Sequence, residues 1–432
     1  MSNSIPNSKI YKLKKGSNIM VTKYDIFNVV HKNRSNIKPI EVLKELNKNK
    51  KEYPAISRYL KELTKAGLLE KNKRGFQAKV SKKYELLYNL IQYCVKNGIN
   101  YNNFLDKNFI KFINVALQKD EINSKVLKLN PRIIKKYIEI LDKYGMILII
   151  SEKPLRAKVF YNVLLNNLLS YFDYTSCIIN ESSKSYIKEI KKELTIYKNL
   201  RRKNELEYQK IITDFKIDFI YHSLSLEGNP ITLPDTIKIL KNKISPADLK
   251  TIDIDEIKNY QNALSLMIRD ASSKKFLNLQ QVLDYHKIAM NHYPEIAGKI
   301  RKIKVFIKGN LDFEVTSPEE ITNKLGILFE KYNELIVKRR VSLEEILKFA
   351  VYFHNEFQHI HPFEDGNSRI TRLITFHLLQ SLDIPVFDFP FGLLDEYLDY
   401  TKASKKRDDE KLYKNLQKVI LFNLKKINKR LK

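Results

Sequence analysis

The chain has 432 residues, 43% hydrophobic and 29% charged, which allows two or three folded domains and excludes an intrinsically disordered protein. No apolar run approaches the roughly 18 residues of a membrane span, and "MSNSIPNSKIYKLKKG" holds no leader-type apolar core, so a cytoplasmic protein is expected. The formal charge of +29 is uneven: residues 1–170 carry 34 Lys+Arg against 13 Asp+Glu, and the remaining 262 residues an excess of only 8. A Lys-rich proteome would spread that bias evenly, so a polyanion facing the first third is the sharper reading. Cys94 and Cys177 fit neither disulfide nor zinc spacing.

The first elements form a repeat. "ISRYLKELTKAGLL" (56–69) and "IKKYIEILDKYGMI" (134–147) align at a constant offset of 78. Ile56, Tyr59, Leu60, Leu63 and Gly67 fall on Ile134, Tyr137, Ile138, Leu141 and Gly145. The apolar spacing predicts an amphipathic helix in each, entered at Pro54 or Pro131 and ended by a glycine suited to a left-handed cap. A strand–turn–strand signature follows each glycine, "LLEKNKRGFQAKVS" and "MILIISEKPLRAKVFY", the second slightly longer. "KYDIFNVVHKN" and "KPIEVLKELN" supply two short helices upstream of the first copy.

Helix, helix, helix and basic wing resembles the winged helix-turn-helix family in tandem, over 1–83 and 84–170. The resemblance implies a third helix in the major groove of double-stranded DNA, with the wing on the backbone. The contact candidates in the first copy are Ser57, Arg58, Lys61, Lys71, Lys73 and Arg74, the last three in the "KNKRG" wing tip. Protein docking is the competing role for such a fold. For the second copy, whose wing "ILIIS" is apolar, a spacer or a homodimer surface is an equal expectation.

Residues 171–204 read as a linker entering a charged helix, and 205–228 as a helix ending at "SLSLEGNPIT", where Gly228, Asn229 and Pro230 stop it. "AGKIRKIKVFIKGNLDFEV" (297–315) alternates apolar and basic residues and predicts a hairpin turning at Gly309-Asn310.

Two late helices, 341–360 and 369–382, flank "HIHPFEDGNSRITR" (359–372). Backbone N–H groups of Gly366, Asn367 and Ser368, opening a helix, make an anion site suited to phosphate. Asp365 is a hard oxygen ligand for Mg²⁺, Arg369 and Arg372 share a helical face as a phosphoryl clamp, and His361 can take a proton near neutral pH. These are the parts that phosphoryl or nucleotidyl transfer requires. His354, His359 and His377 need only core or capping roles.

Residues His361 to Arg372 closely resemble the Fic (filamentation induced by cyclic AMP) signature H-x-F-x-[D/E]-G-N-[G/K]-R-x-x-R, departing only at Ser368. If that position required positive φ, serine would cost of order 1 kcal/mol. The resemblance, over roughly 205–415, implies an all-α domain with a β-hairpin flap, so the chain as a whole is expected to be mainly α. It implies transfer of AMP from ATP, with Mg²⁺, to a Ser, Thr or Tyr hydroxyl of a target protein, which can include the chain itself. His361 is then the base, Asp365 the metal ligand, and Gly366, Asn367, Ser368, Arg369 and Arg372 the phosphate site. Val305 and Ile307 would clamp the target at the flap. "DEIKNYQNAL" (255–264) resembles the helix that precedes the family's core.

Ser223 to Gly228 also match the inhibitory pattern [S/T]-x-x-x-E-[G/N] of some members. The resemblance implies that Glu227 pairs with Arg372 where the γ-phosphate would sit, an autoinhibition in cis. Removal of AMP, transfer of another nucleotide or phosphate group, and a DNA-binding regulator that only senses nucleotide are the alternative readings.

Overall fold

The protein is described from a computed structural model, which places residues 21–33, 35–123, 130–174, 184–307, 310, 313–385, 388–401 and 408–432. Helices dominate, and the strands among the described residues form two two-stranded ladders. The chain divides into two compact units, Met1–Gln92 and Tyr93–Lys432.

In the first unit α1 (Lys23–Lys32), α2 (Pro39–Glu45) and α3 (Tyr53–Lys65) precede a hairpin of β1 (Leu69–Asn72) and β2 (Gly75–Ala78). Thr22 and Asp25 close a reciprocal capping box at the start of α1. Ile26, Phe27, Val30, Ile56, Leu60 and Leu63 fill the core, as the spacing of the apolar positions predicts. Ile37 and Phe76 exchange two backbone hydrogen bonds of 2.8 and 2.9 Å, adding a third strand-like edge to the wing. Glycine is required where they meet: Gly75 has φ 143°, and a Cβ there would lie 2.7 Å from the Ile37 carbonyl. The unit boundary falls inside α4 (Lys82–Lys96).

The second unit opens with the other repeat copy: α5 (Tyr101–Phe104), α6 (Lys107–Leu117), α7 (Pro131–Lys143), β3 (Ile147–Glu152) and β4 (Leu155–Val159). The longer second wing is accommodated by a bulge between Ile149 and Ser151. Its apolar strand has a partner within the chain. Ile147, Leu148 and Ile150 are buried, and β3 packs on the long C-terminal helix α18 (Asp409–Leu431). The Gly392 N–H donates to the Gly145 carbonyl at 3.0 Å, and Tyr221 Oη donates to Asn97 Oδ1 at 2.7 Å. The apolar strand of the second copy is therefore packed inside this unit.

After α8 (Val163–Tyr171) and α9 (Ile187–Lys203) come α10 (Glu205–Leu226), α11 (Leu233–Lys241), α12 (Thr251–Ser272), α13 (Leu279–Ala289), α14 (Ile321–Val337), α15 (Leu343–Ile360), α16 (Asn367–Ser381) and α17 (Leu394–Thr401). The centre of this bundle is α16, packed by α10, α12, α13, α14 and α15. The sequence predicts one inward face for it, but every residue except Gln380 is buried, so Arg369 and Arg372 lie inside the protein. The expected flap hairpin carries no ladder: its described part shows one isolated bridge, Ile307 to Asn310, and Gly309 lies outside the described residues. Cys94 is buried, and Cys177 also lies outside the described residues.

Candidate active site

The bend between α15 and α16 is built by its own backbone. α15 ends at His361, whose φ of 50° and ψ of 60° are left-handed, and Pro362 forbids another turn. His361 Nδ1 lies 3.1 Å from the Gln358 carbonyl, which can only accept, so the proton sits on Nδ1 and the lone pair on Nε2. That is the tautomer a general base needs.

Asn367 then closes the loop: its Oδ1 accepts from the Phe363 N–H at 2.9 Å and its Nδ2 donates to the Phe363 carbonyl at 2.7 Å. The side chain is committed to the loop. Gly366 caps α16 with φ 83°, and a Cβ there would meet Met290 Sδ at 3.0 Å and His286 Nε2 at 3.1 Å. Ser368 lies in the first turn of α16 and is absent from the positive-φ residues, so the strain considered for serine does not arise. The N-cap is Gly366, without a side-chain bond, so serine does not cap the helix either.

Carboxylates pair with both arginines, although Arg369 Nε and Arg372 Nη1 are buried with no hydrogen-bond partner among the described residues. Arg369 pairs with Asp365 at 2.8 Å and, in a very short contact, with Glu256. Arg372 Nη2 lies 2.8 Å from Glu227 Oε1, while its Nε and Nη2 donate to Ser223 Oγ and O at 2.7 and 3.0 Å. Burial alone would lower both guanidinium pKa values, but the neighbouring carboxylates outweigh it and raise them, so each stays charged. Burial pushes the Asp365 carboxyl up, yet the Arg369 guanidinium and the Gly366 N–H hold it below the ordinary carboxylate range.

Glu227 is aimed by the end of its helix. The Gly228 N–H donates to the Ser225 carbonyl and the Asn229 N–H to the Leu224 carbonyl, a Schellman closure in which Gly228 takes φ 95°. Asn229 Nδ2 continues to Glu256 Oε2 at 2.7 Å, and Ser223 Oγ donates to Tyr260 Oη at 2.8 Å. Of the expected residues, Ser223 and Glu227 thus meet Arg372, while Gly228 closes the helix end.

Three residues that hold this site escape the sequence reading. Glu256 and Tyr260 share a face of α12, inside the stretch 255–264 whose resemblance marks the helix but neither residue. His286 takes the Gly298 N–H at Nδ1 (2.9 Å), donates from Nε2 to the Asp365 carbonyl (3.0 Å), and stacks 3.7 Å from Phe363. Burial pulls its pKa down to about 4, so it is neutral. No motif marks it.

His354, His359 and His377 take structural partners, Tyr397, the Glu314 carbonyl and Tyr332 respectively. Val305 and Ile307 are half-buried. In the first unit Arg58, Lys61, Lys71, Lys73 and Arg74 are exposed and Ser57 is half-buried; Arg58 is 3.7 Å from Glu62.

Residues 276–379 match the Fic/DOC family. The chain is 25% identical over 308 residues to the protein adenylyltransferase Fic of Aedes aegypti, covering 68% of this chain and 59% of that protein. It is 24% identical over 208 residues to the protein adenylyltransferase Fic of Nematostella vectensis, covering 47% of this chain and 46% of that protein. The chain therefore spans less than two thirds of the length of either relative. Among solved structures it is similar to a Fic domain containing signaling protein from Bacteroides thetaiotaomicron, with TM-score 0.49 and 22% identity over 57% of this chain and 98% of that one. Fic-1 from C. elegans aligns with TM-score 0.47 and 17% identity, over 68% of this chain and 83% of that one. The stretch 276–379, from α13 through the bend and into α16, is a domain of the Fic/DOC family.

Proposed function

We propose that the protein transfers AMP from ATP to a hydroxyl side chain of a protein, and that Glu227 holds this activity down. The observation that carries the reading is the convergence at one bend of the His361 lone pair, the Asp365 carboxylate, the N-terminus of α16 and two buried guanidinium groups. Relatives named protein adenylyltransferase Fic support it.

In this reaction the target hydroxyl oxygen attacks the α-phosphorus, and its proton passes to His361 Nε2. The new P–O bond forms as the bond from the α-phosphorus to the bridging oxygen breaks, and pyrophosphate leaves. The α16 N-terminus and Arg369 bind phosphate oxygens and stabilise the charge. Among the described residues no group of three or more His, Cys, Asp and Glu could hold a metal alone. A single ionised carboxylate, with its side chain 56% exposed, nevertheless suits Mg²⁺, which takes most of its ligands from phosphates and water. Asp365 would hold it, and the ion would neutralise phosphate charge. Val305 and Ile307, on the flap segment, would dock the target.

Glu227 and a γ-phosphate are rival anions for Arg372. While the carboxylate holds the guanidinium, ATP is denied that contact, and activation is a shift toward states in which Glu227 has left. The first unit is a winged helix whose exposed Arg58, Lys61, Lys71, Lys73 and Arg74 meet duplex DNA.

Intact-protein mass spectrometry after incubation with Mg-ATP tests the enzymatic reading. Glu227→Gly should gain nucleotide mass, and adding His361→Ala should abolish the gain. If Glu227→Gly gains nothing with any nucleoside triphosphate, the assignment fails.

A further inference from the structure

His361 carries the site in a left-handed backbone conformation, a non-glycine φ of 50° that costs of order 1 kcal/mol. Such a conformation persists only where its surroundings impose it. One side chain braces that conformation from outside the bend. Arg301 is 2% exposed, and its backbone N–H donates to the Pro362 carbonyl at 2.9 Å. Its guanidinium Nε donates to the His361 carbonyl at 2.6 Å, with the Ile360 carbonyl 3.5 Å from Nη2. The carbonyls of the last helical residue, the left-handed residue and the proline thus converge on Arg301, where the negative end of the α15 dipole also points.

The other edge of the fork faces the flap. Nη1 donates to the Ile303 carbonyl at 2.8 Å and Nη2 to the Thr316 carbonyl at 2.5 Å. Those carbonyls bracket the segment that carries Val305 and Ile307. Among the described residues no carboxylate lies within ion-pair distance of Arg301, so carbonyl dipoles, with Glu319 farther off, compensate this buried cation. Lysine cannot replace it, because a point charge lacks the planar fork that engages both sides at once.

We propose that Arg301 is the positioning residue for the His361 base, and that it links the base's geometry to the flap. The guanidinium fixes the peptide on which His361 turns, and with it the ring whose Nδ1 meets the Gln358 carbonyl. A flap segment moved by an incoming target shifts the Ile303 and Thr316 carbonyls, and the fork transmits that shift to the His361 backbone. The rate consequence rests on the transferase reading above; the geometric one stands without it.

The test compares Arg301→Lys and Arg301→Met, each with Glu227→Gly, against Glu227→Gly alone. Single-turnover labelling should slow by roughly tenfold to a hundredfold while half-saturation by Mg-ATP changes by less than about twofold, because the phosphate site is untouched. The ¹⁵N signals of the His361 ring should change from the Nδ1–H tautomer to a mixture. If Arg301→Met does not fold, Arg301→Lys, which keeps the charge but not the fork, decides. Unchanged labelling, a loss expressed only as weaker ATP binding, or an unaltered His361 tautomer would each overturn the proposal. Should Glu227→Gly itself never label, the transferase reading falls, and the ring signals alone judge Arg301.

Discussion

Arg372 Nη2 and Glu227 Oε1 lie 2.8 Å apart, the guanidinium fully enclosed and the carboxylate side chain 15% exposed. Water does little to screen this pair, and each partner would be costly to bury alone. Ser223, one turn earlier on the same helix, gives Arg372 two more bonds, so the contact proposed to be inhibitory holds at three points.

Glu227→Gly therefore leaves a buried guanidinium without its counter-ion. The variant should be less stable by about 3 kcal/mol. Phosphate binding restores the missing charge, so Mg-ATP should raise the melting temperature of Glu227→Gly more than that of the unmodified protein. Calorimetry with and without nucleotide measures both shifts, and equal shifts would contradict the proposed inhibition.

Gly366→Ala tests the loop without removing a charge. The new methyl group must accept a φ of 83° and crowd Met290 and His286. A destabilisation of order 1 to 3 kcal/mol is expected. Because the turn aims the α16 N-terminus, ATP affinity in the Glu227→Gly background should fall with it. Denaturant titration and isothermal calorimetry give the two numbers.

Acid should loosen this domain through its neutral histidines. Burial lowers the pKa of both His286 and His377 from 6.5 to about 4. Between those values the unfolded chain binds protons that the folded one does not, so stability is full above about pH 6.5 and declines as pH falls toward 4. Each site contributes of order 2 to 3 kcal/mol across that window. Urea unfolding from pH 7 to 4.5 measures the slope, which His377→Gln should reduce by roughly half.

For the first unit, Lys71→Ala, Lys73→Ala and Arg74→Ala together should weaken duplex binding at every sequence. The slope of log affinity against log salt should fall by about 3, since each phosphate contact contributes close to one. Fluorescence anisotropy over a salt series measures it, and an unchanged slope would move DNA contact elsewhere or exclude it.

The local chemistry was largely legible in the chain. Residues His361 to Arg372 gather an imidazole, a carboxylate, a helix opening and two guanidinium groups within one bend, as their close spacing in the chain implies. The repeat at offset 78 was legible for a similar reason: helix spacing and glycine caps are short-range rules. Glu227 stood out only through a six-residue pattern. Its partner, 145 residues away, had to come from a resemblance.

Tertiary structure decided what no local rule could. Burial of α16 on every side, Gln380 excepted, placed both of its arginines inside the protein. Packing on α18 gave the second wing a partner inside its own unit. His286, Glu256 and Arg301 hold the site from three other segments, and no local pattern says that they meet there. Amphipathic spacing reports which side of an element faces inward, a property of neighbours along the chain. Which carbonyl a buried guanidinium meets depends on how whole helices stack, and that is set by the packed core rather than by sequence separation.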